Sequence, residues 1–219
     1  MNRVGVKKTF LGLFFLAAAT VATTVSAVVF TFETDPFAGS AALTTPGRQV
    51  VGGEQFLSFA IENDLFAFDP AVFGVEDQVL FANDVVANLP ASDVNIIVLR
   101  TTDNDNDPTT PFAAGNAANL IADQITEVGP GFFIYFNSGL DLPRLVYSTD
   151  LSDPTADLKI LARITNLVGE NGIFELQNFT ASNFTLITDL TPVPEPISLA
   201  LLGIGLAGLG LSRRKPIAN

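Results

Sequence analysis

Gly131–Asn137 reads GFFIYFN. Two further runs of the same kind follow, Arg144–Ser148 (RLVYS) and Leu158–Thr165 (LKILARIT), joined by the loop DLSDPTAD with Pro154 and several aspartates. Short β-branched and aromatic runs bounded by turn residues are strand signals. Outward from this centre lie more candidates. Glu54–Ile61 (EQFLSFAI) alternates polar and apolar residues, Asp77–Val86 (DQVLFANDVV) is another strand-like run, and Val94–Leu99 (VNIIVL) is β-branched and reads as central. Gly172–Phe179 and Ser182–Ile187 close the set, and Val28–Phe32 supplies an edge strand. Ala113–Ile125 (AAGNAANLIADQI) alone reads as helical, with Leu120, Ile121 and Ile125 on one side. About eight short strands with one helix predict an all-β body, an antiparallel β-sandwich with one short helix. The abundant Phe residues are expected to fill the space between its sheets.

Composition removes whole classes of chemistry. The 219 residues include no Cys, no His and no Trp. Without Cys there are no disulfides, thiol nucleophiles or thiolate metal sites. Without His, the Ser-His-Asp and Cys-His arrangements are excluded within this chain. Carboxylate, Lys, Tyr and hard-metal chemistry remain. The net charge is −12, unevenly spread. Between Val28 and Val193 only Arg48, Arg100, Arg144, Lys159 and Arg163 face 22 acids, a net charge of −17. Such a surface repels phosphate backbones, so nucleic acid is not an expected partner.

The two ends carry the remaining cations. Arg3, Lys7 and Lys8 precede an apolar run from Thr9 to about Val21, and Val25-Ser26-Ala27 follows with small residues. This order predicts a signal peptide over residues 1–27, cut by signal peptidase after Ala27. An uncleaved anchor is the alternative. At the other end, Pro194-Glu195-Pro196 is followed by the uncharged run Ile197–Leu211 and then by Arg213, Arg214 and Lys215. As a helix the run spans about 22 Å, short of a hydrocarbon core of about 30 Å. The two prolines keep their neighbours extended. The basic cluster holds its end in the cytoplasm.

Proline-glutamate-proline, a short apolar helix and an arginine cluster, in that order at the C-terminus, resemble the PEP-CTERM sorting signal of Gram-negative bacteria. The resemblance covers about the last 27 residues. It implies recognition by exosortase, a membrane-embedded transpeptidase-like enzyme, and export linked to exopolysaccharide or biofilm matrix. A plain membrane anchor is the alternative. The expected organisation is a signal peptide (1–27), a β domain (28–187), a tether (188–193) and a sorting signal (194–219).

Inside the body, Thr101–Pro111 (TTDNDNDPTTP) places Asp103, Asp105 and Asp107 at alternating positions. A loop that folds back can aim such oxygens at one Ca²⁺. It is not an EF-hand, because Pro108 and Ala114 stand where the turn Gly and the bidentate Glu belong. A solvated acidic turn is the competing reading. Glu54, Glu62, Asp64, Glu76 and Asp77 are candidate carboxylates for glycoside hydrolysis, but nothing in the linear order pairs two of them. Asn178-Phe179-Thr180 and Asn183-Phe184-Thr185 are expected in strand segments with each Phe inward. The function these features predict is an exported envelope or matrix protein with a structural or adhesive role and no enzymatic activity. A Ca²⁺- or carbohydrate-binding module is the first alternative and a carboxylate hydrolase the second. No cofactor is expected beyond the candidate Ca²⁺. Signal peptidase, exosortase and extracellular polysaccharide are the expected partners.

Overall fold

The computed structural model describes residues 26–107 and 109–187. The expected signal helix and C-terminal apolar helix lie outside the described residues. Ten strands follow the chain as β1 (Val29–Phe32), β2 (Val50–Val51), β3 (Gln55–Leu57), β4 (Leu65–Phe68), β5 (Phe81–Asp84), β6 (Ile96–Leu99), β7 (Gly131–Asn137), β8 (Leu142–Ser148), β9 (Leu158–Ile164) and β10 (Phe184–Leu186). Three α-helical segments accompany them: α1 (Pro70–Phe73), α2 (Ala114–Ala122) and α3 (Gly169–Glu175). The chain is therefore mainly β with few helices.

The opening run becomes β7, with all seven residues buried. It pairs antiparallel with β8, and β8 with β9, so these three strands form a meander. The connection from β7 to β8 is short because Asn137 caps it: its Oδ1 accepts the Leu140 N–H at 2.9 Å. The Asp-rich loop between β8 and β9 uses its carboxylates in the same way. Asp150 accepts the Ser152 N–H and hydroxyl at 2.9 and 2.8 Å, and Asp153 accepts those of Thr155 at 2.7 and 2.8 Å. Asp and Asn are turn residues because their side chains make these local bonds.

Beyond the meander the pattern departs from expectation. β6 joins β7 in parallel, β5 joins β6 in parallel, and both β2 and β3 join β9 in parallel. A second sheet, ordered β1-β4-β10, is parallel throughout. Six of the eight pairings among the described residues are parallel, which corrects the antiparallel expectation. For the parallel β6–β7 pair the physical reason lies in coverage, since both strands are wholly buried. Strands buried on both faces read as unbroken apolar runs, and parallel sheets are built from such strands. The predicted helix Ala113–Ile125 is present as α2, and it serves as the crossover that a parallel β6–β7 pair needs.

The large sheet is covered on both faces. One face carries Ile96, Val98, Phe132, Ile134, Phe136, Leu145, Tyr147 and Leu161, and it meets Phe32, Phe66, Phe68, Phe184 and Leu186 of the small sheet. Phe rings fill this layer, as expected: Phe68 stacks on Phe132 with centroids 3.8 Å apart, and Phe59 on Phe66 at 4.2 Å. The other face presents Ile97, Leu99, Phe133, Tyr135, Val146, Leu158 and Ile160 to α2. That helix turns Ala114, Ala117, Ala118 and Ile121 inward, and their small size lets it lie close to the sheet.

Three further differences from expectation are local. Gly172–Phe179 is not a strand but the end of α3 and a 3₁₀ turn over Leu176–Asn178. Leu176 and Phe179 are both buried, three residues apart, which is a helical spacing rather than an alternation. Phe179 and Phe184 both point inward, although only Phe184 lies on a strand. Glu54–Ile61 yields only the three-residue β3. Finally, β4 and α1 were not anticipated. α1 starts at Pro70, with Asp69 Oδ1 accepting the Ala71 N–H at 2.9 Å, and ends at Gly74 in the left-handed region (φ 65°). Among the described residues no helix is long and apolar enough to cross a membrane.

Candidate functional site

The small sheet determines where both ends of the chain leave the body. β1 and β10 flank β4 and run parallel to it. The entering chain reaches β1 at the Leu65 end of β4, and the departing chain leaves β10 at the Phe68 end. Ala27 is exposed and lies just before β1, outside any regular element. Pro194, Glu195, Pro196, Arg213, Arg214 and Lys215 lie outside the described residues.

The Asp103–Asp107 stretch is an exposed loop with Asn106 in the left-handed region (φ 58°). Each of its carboxylates caps the chain two residues on. Asp103 accepts the Asp105 N–H at 3.0 Å, Asp105 the Asp107 N–H at 3.0 Å, and Asp107 the Thr109 N–H at 2.9 Å and its hydroxyl at 2.7 Å. The backbone bond from Asp105 lowers the pKa of Asp103, and the Thr109 hydroxyl and N–H lower that of Asp107. Among the described residues no group of three or more acids is placed to hold a metal ion.

The five carboxylates singled out by sequence fall in separate surroundings. Asp77 is exposed. Glu62 lines an open cleft of about 510 Å³ with Asn166, Asn171 and Glu175. Glu76 lines a second, of about 290 Å³, with Asp93 and Glu127. Asp64 is buried, and its two oxygens accept the Val28 and Ala60 N–H groups at 2.9 and 2.8 Å. Glu54 is held by two arginines: Oε1 accepts from Arg144 Nη2 at 2.7 Å and from Arg163 Nε at 2.6 Å. Burial pushes the pKa of Glu54 up, but a backbone hydrogen bond and the two guanidinium groups outweigh it and bring it to about 2.

This charged cluster is the feature that sequence reasoning missed. Arg144 and Arg163 face each other across β8 and β9, and Glu54 reaches them from the segment before β3. Phe56 of β3 is 68% exposed, with the Arg163 guanidinium 5.0 Å from its ring centre. No local signal exists for it, because Glu54 lies 90 and 109 residues from its two partners. Nearby on β7, Asn137 Nδ2 donates to the buried Tyr135 hydroxyl at 2.8 Å, and burial raises the Tyr135 pKa.

Set beside known proteins, residues 192–215 match the family model of the PEP-CTERM protein-sorting motif. No curated protein matches the chain. No solved structure matches it. The C-terminal tail is therefore a PEP-CTERM sorting signal, the kind recognised by exosortase, and it directs export and sorting to the surface or beyond.

Proposed function

We propose that this protein is an exported structural or adhesive component of the cell envelope or extracellular matrix, working within an exopolysaccharide or biofilm layer. The sorting motif at residues 192–215 carries the reading. Signal peptidase removes the leader after Ala27. The apolar run Ile197–Leu211 tethers the body to the membrane until exosortase acts beside Pro194–Pro196. The body then works through its acidic surface and loops rather than by catalysis. Intact mass and terminal peptide mapping of protein from the host's envelope and medium test this. Termini near Val28 and near Pro194–Pro196 support it. A membrane species retaining Arg213–Lys215 would make the tail a permanent anchor and refute the sorting step. Turnover of a polysaccharide, abolished when one carboxylate becomes its amide, would refute the non-enzymatic reading.

A carbohydrate-binding role is the second reading, and exposed Phe56 favours it. An aromatic ring in water beside Arg163 and Glu54 offers an apolar face and polar groups to one ligand. Titration with the host's exopolysaccharide tests it. Binding lost in Phe56→Ala supports the platform, and unchanged binding removes it. The Ca²⁺ reading of Asp103, Asp105 and Asp107 rests on their alternating oxygens alone. No heat and no thermal shift at millimolar Ca²⁺ would dismiss it.

A further inference from the structure

Asp64 is a buried carboxylate, 5% exposed, at the point where the chain enters the body. Its oxygens are occupied by the Val28 and Ala60 N–H groups. Among the described residues no Lys or Arg lies within ion-pair distance of it. Buried carboxylates normally have a cationic partner as well as hydrogen bonds. Asp64 is also firmly fixed. Its N–H donates to the Ala60 carbonyl at 2.8 Å, and its own carbonyl accepts from Asn183 Nδ2 at 3.1 Å, just before β10. Val28 is held from both sides, because its carbonyl accepts the Leu65 N–H at 2.9 Å.

Val28 is the residue that follows the expected cleavage point. We propose that removal of the leader after Ala27 gives Asp64 its missing cation, the new α-ammonium of Val28, and so locks β1 onto β4. The inference rests on the cleavage reading given above. Water adds across the Ala27–Val28 peptide bond. The carbonyl carbon of Ala27 departs with the leader as a carboxylate, and the nitrogen of Val28 keeps the body and takes up protons. A free α-amine has a pKa of about 7.7–8.0, so at neutral pH it is largely protonated. The nitrogen already stands 2.9 Å from Asp64 Oδ1. Cleavage therefore turns a hydrogen bond charged only on the acceptor side into an ion pair charged on both, without moving either group. The precursor keeps the weaker bond, so the body reaches full stability only after the leader is gone.

The test is a cycle of four proteins: leader-cleaved and leader-retaining forms, the latter made with Ala27→Leu, each with and without Asp64→Asn. Asp64→Asn is expected to lower Tm by roughly 2–4 °C more in the cleaved form than in the leader-retaining form. Equal losses in a cleaved protein whose N-terminus is Val28 would sink the lock and leave the cleavage reading standing. An N-terminus at any other residue would overturn both. A second measurement needs no Asp64 variant. Acylation of the Val28 α-amine in the native cleaved protein should be slower than in urea by about tenfold or more. Equal rates would overturn the proposal.

Discussion

Phe68 offers the most direct test of how the two sheets are joined. It is fully buried on β4, its ring stacks on Phe132 of the large sheet with centroids 3.8 Å apart, and its ring centre lies 5.6 Å from that of Phe32 and 6.1 Å from that of Phe73. Truncation to Ala leaves a cavity between two sheets whose backbones are held by their own ladders and cannot collapse fully. A Phe→Ala change in such a place costs about 3–5 kcal/mol. With the stacked pair lost as well, about 4 kcal/mol is expected at this site. A chain of this size loses roughly 2–4 °C of Tm per kcal/mol, so Tm should fall by about 8–16 °C. The chain has no Trp, so urea and thermal unfolding followed by far-UV circular dichroism are the suitable assays. Phe56→Ala is the internal control, because Phe56 is mostly exposed and its loss should stay within about 0.5 kcal/mol. If Phe68→Ala cost less than about 1 kcal/mol, the small sheet would not be packed on the large one through this ring, and the layer assignment would be wrong.

Glu54→Gln should destabilise the protein by about 2 kcal/mol at pH 7, because it leaves Arg144 and Arg163 facing each other without their counter-ion. The folded pKa of Glu54 is depressed to about 2 from 4.5. Its contribution is therefore full above the unfolded pKa and disappears as pH falls through about 2, so wild type and variant should converge in acid denaturation curves. A constant gap down to pH 2 would refute the ion-pair account. Gly172→Ala would place a Cβ 2.6 Å from the Leu167 carbonyl group and 3.2 Å from Phe136, and should cost roughly 1–3 kcal/mol in urea denaturation. A neutral result would show that α3 shifts freely on the sheet. Ending the chain at residue 183 removes buried Phe184 and Leu186 and should abolish cooperative unfolding in urea.

The strand content was legible because it is local. GFFIYFN became β7 with the bounds expected, and LKILARIT became β9 to within one residue. Strand direction was not legible by the same means. The runs IIVL and GFFIYFN lack alternation, which is the mark of burial on both faces, and that mark points toward parallel pairing. Weighing it would have favoured a crossover helix between them, which α2 supplies. LFAF in β4 lies between an Asp and an Asp-Pro pair and is only four residues long, so it offers little pattern to read. The Glu54 cluster was invisible for a different reason. Its three charges are brought together only when β3 docks on β9 and β8 pairs with β9, and no spacing in the chain encodes that. The tail was the most legible part, because its signal lies in a contiguous order of residue types and needs no fold.

The position of β1 and β10 ties these threads together. Both terminal strands pair with one short central strand, and the chain outside them holds the expected leader on one side and the sorting motif matched at residues 192–215 on the other. Val28 alone separates Ala27 from β1, and the matched sorting motif begins at residue 192, past the end of β10 at Leu186. Loss of either segment therefore removes no ladder bond from the described sheets. The small sheet nevertheless cannot close until β10, the last strand, is available to β4. Its pairing partner lies more than a hundred residues earlier, so loop closure is costly and the sheet forms late.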